Sequence, residues 1–327
     1  MFLLLALTGC DRVIDCARPR AGVGGSDHRC RVPGFRDREV RVHLPDAYDE
    51  ASDWPLVMVL HGGGSNNEGA DAMTCPEGEL GDPACMSAVG TDRGYLVAFP
   101  QGTSRLGEIR TWNAGGGTDG WQCVSGKACA DEVDELAYFD ALLDELQDSV
   151  TVDPDRVFAA GHSNGAAMSH RLACQRADRF AAIAPNAAPN QFSTTEACEP
   201  SRPVAVLQMH GTDDDCMPYE GGENGCVPTE DGVSLGIEQS NADWAARNGC
   251  EAIPAEEALP DEADDGTTTV RQSWPGCADG GEVEHLRIEG GGHAWPGGYT
   301  LSSKGGTVPR DFDGDELVLD FFDAHGR

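Results

Sequence analysis

"RVFAAGHSNGAAMSHRLAC", residues 156–174, places a serine between two glycines where an apolar, β-like run gives way to a helix-like one. Ahead of Ser163 stands Val157-Phe158-Ala159-Ala160; after it Ala166, Ala167, Met168, Leu172 and Ala173 recur at helical spacing. A chain that leaves a strand and enters a helix within a few residues folds sharply under the residue at the bend. Gly161-His162-Ser163-Asn164-Gly165 fits the G-x-S-x-G turn, whose small flanking residues allow that bend and lift a hydroxyl clear of the sheet. Free N–H groups and the helix dipole there favour developing negative charge. Taken alone, the pentapeptide also fits an ordinary turn serine, so the rest of the chain decides between the two.

The wider pattern supports the strand-to-helix context. Short apolar runs lie at 39–44, 56–60, 95–99, 157–160, 180–184, 204–209, 268–274 and 283–288. Several are continuous rather than alternating, as in strands buried on both faces. Helical periodicity fills 132–150, 237–248 and 315–324. The alternation predicts an α/β domain with a mostly parallel central sheet flanked by helices.

A serine hydroxyl becomes a nucleophile only beside a base that is itself oriented by a carboxylate. In α/β-hydrolases the chain order is Ser, then Asp or Glu, then His. Only His210, His285, His293 and His325 follow Ser163. His293, in the loop "EGGGHAWPGG" just after a strand pattern, is the one placed to reach over a sheet edge. "VAVLQMHGTDDDCMPYEGG" supplies three acids, Asp213, Asp214 and Asp215, and spacing does not choose among them. "VLHGGGSN", residues 59–66, follows a buried run and leaves backbone N–H groups unobstructed. One donor from this loop and the N–H of Asn164 would form an oxyanion hole. A phosphate loop does not fit, because no Gly-Lys-Ser/Thr follows the glycines. His61 is expected to prop this loop rather than titrate. Trp112, Trp121, Tyr219 and Trp295 are candidates either for stacking on a sugar or aromatic acid or for packing.

With 23 basic and 56 acidic residues the formal charge is −33, which disfavours nucleic acid and anionic membrane surfaces. The acidic stretch 251–266 reads as a solvated loop. "MFLLLALTGC" is too short to span a bilayer and reads as a signal segment. Its Leu7-Thr8-Gly9-Cys10 resembles a bacterial lipobox that would lipidate Cys10. Thirteen cysteines suit an oxidising compartment. With Cys10 set aside, neighbour pairing gives Cys16/Cys30, Cys75/Cys85, Cys123/Cys129, Cys174/Cys198, Cys216/Cys226 and Cys250/Cys277 as the expected disulfides. No C-x-x-C pair supports zinc. The expected division is a signal segment 1–10, an N-terminal extension 11–37 and a catalytic domain 38–327.

From about residue 38 onward the chain resembles the secreted polyhydroxybutyrate depolymerase/feruloyl esterase-like family of α/β-hydrolases. The matching pieces are "LHGGGSN", "YLVAFPQG", "WNAGG", "VDPDRVFAAGHSNGAAMSHRLAC", "FAAIAPNAA", "HGTDDDCMPY" and "GGGHAWPGG". The resemblance implies Ser163 as nucleophile, Asp214 as the acid of its H-G-T-x-D motif, His293 as the base of its G-H-x-W-P loop, and Gly63 as the first oxyanion donor. Two features depart from the family pattern: His162 stands where an apolar residue is more usual, and Cys75–Cys85 marks an enlarged loop. The implied activity is a secreted or lipid-anchored serine carboxylesterase, needing no metal or cofactor, on feruloyl or acetyl polysaccharide esters or hydroxyalkanoate esters. A non-catalytic binding protein on a hydrolase scaffold and a serine peptidase are the alternatives.

Overall fold

The computed structural model describes residues 27–104, 110–115, 127–225, 233–300 and 305–327. The signal segment with Cys10, and Trp121, lie outside these residues. Among the described residues ten strands form one sheet: β1 (Asp27–Val32), β2 (Phe35–His43), β3 (Trp54–Leu60), β4 (Leu96–Pro100), β5 (Val152–His162), β6 (Ala182–Asn186), β7 (Ala205–Gly211), β10 (Ala255–Ala258), β11 (Thr268–Trp274) and β12 (Val283–Glu289). A separate ribbon pairs β8 (Gly222–Glu223) with β9 (Val233–Ser234). The sheet order is β1-β2-β4-β3-β5-β6-β7-β12-β11-β10. Pairing from β4 through β12 is parallel and both flanks are antiparallel.

Alternate residues of one strand feed two cores. On β3, Leu56, Met58 and Leu60 join one cluster, with Tyr138, Phe139, Leu142 and Leu172. Val57 and Val59 join the other, with Val318, Leu319 and Phe322. Helices therefore cover both faces: α4 (Glu135–Ser149), α5 (Asn164–Gln175) and α6 (Ile237–Arg247) on the first, and α1 (Asn67–Thr74), α2 (Met86–Asp92) and α7 (Gly314–Ala324) on the second. A short helix, α3 (Lys127–Ala130), precedes α4. Asp134 caps α4 by accepting from Ala137 N, and Asp313 caps α7 by accepting from Asp315 N and Glu316 N. Among the described residues no helix is long and apolar enough to cross a membrane.

Two expectations are refined. The domain start expected at 38 falls inside β2, and the sheet already begins at Asp27. Pro33 and Gly34 turn β1 back on β2, Gly34 supplying φ 83, and Cys30 and Val32 alternate inward. The acidic stretch 251–266 is not all loop: Ala255–Ala258 pairs with β11, all four residues exposed, because an edge strand needs only a backbone partner. Asp153-Pro154 lies within β5, in a bulge where the register against β3 jumps from Val152 to Val157. A bulge tolerates the missing N–H of proline.

The disulfides Cys75–Cys85, Cys174–Cys198 and Cys250–Cys277 form as expected. Cys30, Cys129 and Cys216 are also disulfide-bonded. Their expected partners Cys16, Cys123 and Cys226 lie outside the described residues.

His170 on α5 is buried with both ring nitrogens engaged: Trp244 Nε1–H donates to Nδ1 at 3.0 Å, and Nε2–H donates to Gln208 Oε1 at 3.1 Å. Burial lowers its pKa from 6.5 to about 4. The unfolded chain therefore takes up a proton first as pH falls, and stability declines between about 6.5 and 4. Replacing His170 by Asn should flatten the slope of unfolding free energy against pH in that window by up to about 1.4 kcal/mol per pH unit. Urea unfolding at half-unit pH steps measures it, and an unchanged slope would mean that His170 is not neutral in the folded protein.

Candidate active site

Ser163 sits between the C-terminal end of β5 and the first turn of α5, at φ 56 and ψ −120. That left-handed backbone is strained for a non-glycine residue. The two glycines of the motif are required by close approach. A Cβ on Gly161 would stand 2.5 Å from the carbonyl group of Gly165, and one on Gly165 would stand 2.2 Å from the Leu60 carbonyl oxygen. The Ser163 N–H donates to Asn186 O at 2.9 Å, fastening the turn to β6.

Of the three neighbouring aspartates only Asp214 is buried; Asp213 and Asp215 are exposed. His293 Nδ1–H donates to Asp214 Oδ2 at 2.7 Å, while Asp214 Oδ1 accepts from Cys216 N and Met217 N, each at 2.8 Å. A second histidine, His210, brings Nε2 to 3.3 Å from Asp214 Oδ2 and 2.8 Å from Met217 O. Burial alone would raise the Asp214 pKa, but hydrogen bonds and charge from His210 and His293 hold it well below the usual carboxylate range. The sequence reading missed His210 as a partner; a histidine at the end of a buried strand, four residues before the acid, was the available signal. The ring of His162 packs against that of His293 with centroids 4.5 Å apart, so the base lies beside the elbow that carries Ser163.

The glycine loop lies alongside. A Cβ on Gly62 would be 3.4 Å from Ser163 Cβ, and one on Gly63 would be 3.6 Å from Asn164 Cβ. Gly64 takes φ 85 in the turn closed by Ser65 N–H to Gly62 O. The Gly63 N–H has no acceptor among the described residues. Asn164 is the first residue of α5, where a backbone N–H has no intrahelical acceptor. His61 does prop this loop: Nδ1–H donates to Gly62 O at 2.8 Å and Nε2 accepts from Gly102 N at 2.9 Å, with burial lowering its pKa to about 4.

Trp112 is a packing residue, not a stacking platform. It is fully buried against His61 and Phe139, and its indole N–H donates to His61 O at 3.0 Å. Its backbone brackets the Asn164 side chain, donating to Oδ1 at 2.7 Å and accepting from Nδ2 at 3.1 Å. Trp295 is likewise buried and donates to Asp315 Oδ1 at 2.8 Å. Tyr219 packs between His210 and His285 and donates its hydroxyl to Glu238. Tyr219 also borders a cavity of about 840 Å³ lined by Asp213, Asp215, Glu238 and Arg287. Ser163 and His293 do not line that cavity, so it is not where an ester would meet the serine.

Among the described residues two groups of potential metal ligands occur, Asp214 with Cys216 and His293, and Asp71 with Cys75 and Cys85. Every cysteine in them is disulfide-bonded, so neither offers a thiolate.

Residues 35–262 match the family described as "Esterase: Putative esterase". The matched span holds Ser163 and Asp214, and His293 lies beyond it. The chain is 30% identical over 291 residues to the "Putative esterase NocK" of Nocardia uniformis subsp. tsuyamanensis, covering 86% of this chain and 77% of that protein. It is 27% identical over 260 residues to "Feruloyl esterase B" of Piromyces equi, covering 79% of this chain but only 42% of that longer protein. In fold it resembles the acetyl xylan esterase from Aspergillus awamori, with a TM-score of 0.54 at 14% identity over 88% of this chain and 94% of the other.

Behind the site, Arg38 Nη2 pairs with Glu135 Oε2 at 2.7 Å, both side chains almost fully buried, and Glu135 Oε1 accepts from Asn113 N at 3.2 Å. Replacing Arg38 by Met strands a buried carboxylate and should cost about 3–5 kcal/mol; adding Glu135→Leu should recover part of it. The urea midpoints of the single and double variants test this, and a single-variant cost below about 1 kcal/mol would show that the pair does not hold the loop.

Proposed function

The chain belongs to the esterase family, and on that premise we propose that it hydrolyses carboxylic esters through Ser163, His293 and Asp214. The observation that carries the reading is the 2.7 Å bond from His293 Nδ1–H to the buried Asp214, beside a serine held at φ 56. The Ser163 hydroxyl oxygen adds to the ester carbonyl carbon as its proton passes to His293 Nε2. The carbonyl electrons move onto oxygen, and the Gly63 and Asn164 N–H groups stabilise that oxyanion. Collapse breaks the bond to the alcohol, which leaves with the proton from His293. Water then repeats the sequence on the acyl-serine. Asp214 keeps the proton on Nδ1, so Nε2 is free to accept, and its charge stabilises the imidazolium.

For substrate we propose feruloyl or acetyl esters of polysaccharides. Support comes from the names of the similar proteins, a feruloyl esterase and an acetyl xylan esterase, and from the motifs shared with that family. We also propose that the protein works outside the reducing cytosol, since its disulfides persist in oxidising compartments. A lipid anchor at Cys10 belongs to the same proposal: Cys10→Ser should release the protein from membranes.

Ser163→Ala should abolish ester hydrolysis with the fold intact, and His293→Ala should cost about as much, since triad losses do not add. Asp214→Asn should lower kcat by about 10⁴-fold, because the amide favours the wrong tautomer. Asp213→Asn and Asp215→Asn, at exposed positions, should keep most turnover. Rates on methyl ferulate, acetylated xylan, 3-hydroxybutyrate oligomers, p-nitrophenyl acetate and a matched amide check activity and substrate together. Turnover retained in Ser163→Ala, or hydrolysis of the amide alone, would overturn the reading. A clear preference for 3-hydroxybutyrate would overturn only the substrate class.

A further inference from the structure

We propose that Asn186 is a positioning residue that fixes the imidazole of His293 relative to Ser163, acting through His162; the proposal rests on the esterase reading above. Asn186 ends β6 and is 1% exposed. Its backbone oxygen accepts from Ser163 N at 2.9 Å. Its side-chain amide makes two further bonds, donating to His162 Nδ1 at 2.8 Å and to Ala294 O at 3.0 Å. His162 immediately precedes the serine and Ala294 immediately follows His293. One buried side chain thus ties the loop of the nucleophile to the loop of the base.

The bond to Asp214 fixes one edge of the His293 ring. A single hydrogen bond leaves the ring free to tilt about that contact. The His162 ring, 4.5 Å away and inclined at 51°, limits the tilt from one face. His162 can do this only while Nδ1 stays unprotonated, since that nitrogen accepts from Asn186. Half-buried beside His293, it has its pKa lowered by desolvation, which keeps it in this form, and as a neutral ring it adds no repulsion when His293 becomes positive.

The backbone around Asn186 is also shaped for this place. Ala187, the next residue, adopts φ 62, with its N–H donating to Met209 O at 2.9 Å on β7. A left-handed non-glycine residue is strained and persists only where its surroundings impose it. The strain turns the chain away directly after Asn186 has reached both loops.

The test compares kcat and KM on p-nitrophenyl acetate for Asn186→Ala, His162→Leu, His162→Asn and the Asn186→Ala/His162→Leu double variant. Thermal midpoints confirm folding. A misplacement of about 1 Å in a catalytic geometry costs on the order of 10²-fold. Asn186→Ala and His162→Leu should therefore lose about 10- to 100-fold in kcat with little change in KM. His162→Asn puts an amide oxygen where Nδ1 stood, restoring the link to Asn186 without the full ring face, and should recover part of that loss. The double variant should be no slower than the slower single one, because both remove the same link. Wild-type kcat in His162→Leu, equal losses in His162→Leu and His162→Asn, or losses that multiply would each overturn the proposal. If Asn186→Ala does not fold, the two His162 variants still decide it. Ser163→Ala separates the two ideas: activity there sinks the esterase reading, whereas an inactive Ser163→Ala beside a normal His162→Leu sinks only this proposal.

Discussion

Helix α5 is pressed so closely onto β3 that its first turn has no room for a side chain facing the sheet. Gly165 lies against the Leu60 carbonyl, and Gly161 lies against Gly165 itself. That crowding forces the residue between them into the left-handed region, and Ser163 accepts the strain. The rest of the site follows from where this turn ends. The helix N-terminus opens toward the glycine loop after β3, and the serine amide is left to bond β6. A Cβ at either glycine would separate α5 from the sheet and displace every contact that refers to it.

Most of the machinery around that turn is backbone held in place by buried side chains. The Asn164 side chain occupies the backbone of Trp112, and the Trp112 indole holds the His61 carbonyl. Glu135, neutralised by Arg38, takes the N–H of Asn113. These polar groups lie in the interior at a cost in desolvation, which their mutual bonds offset. The arrangement holds the glycine loop beside the first turn of α5.

Much of this was legible in the sequence because the informative residues are local. Continuous apolar runs such as 56–60 and 95–99 coincide with buried strands, and G-x-S-x-G marks a bend that only a few residue types allow. Three adjacent aspartates were ambiguous by spacing; burial, a tertiary property, separates Asp214 from its neighbours. The H-G-T-x-D resemblance had pointed the same way. Stacking and packing were open for Trp112 and Trp295 for a similar reason, since a tryptophan suited to stacking on a ligand is equally suited to filling a core, and both are buried. Strands β1 and β10 carry little apolar signal because each lies at a sheet edge and needs one partner. Asn186 was invisible in "FAAIAPNAA", since nothing in that string says which two loops its amide will meet.

The exposed strand β10 gives the ten-stranded sheet an edge guarded by charge rather than by cover. Glu256 and Glu257 stand on it, and the amide of Gln272 and the charge of Arg287 hold Glu256 below its ordinary pKa. A second molecule offering the same edge would set carboxylates against carboxylates along the row of open peptide groups. The guard therefore acts between molecules and not within one. It works against sheets of neighbouring molecules stitching together, and Gln272 and Arg287 favour the charged form of one of its carboxylates.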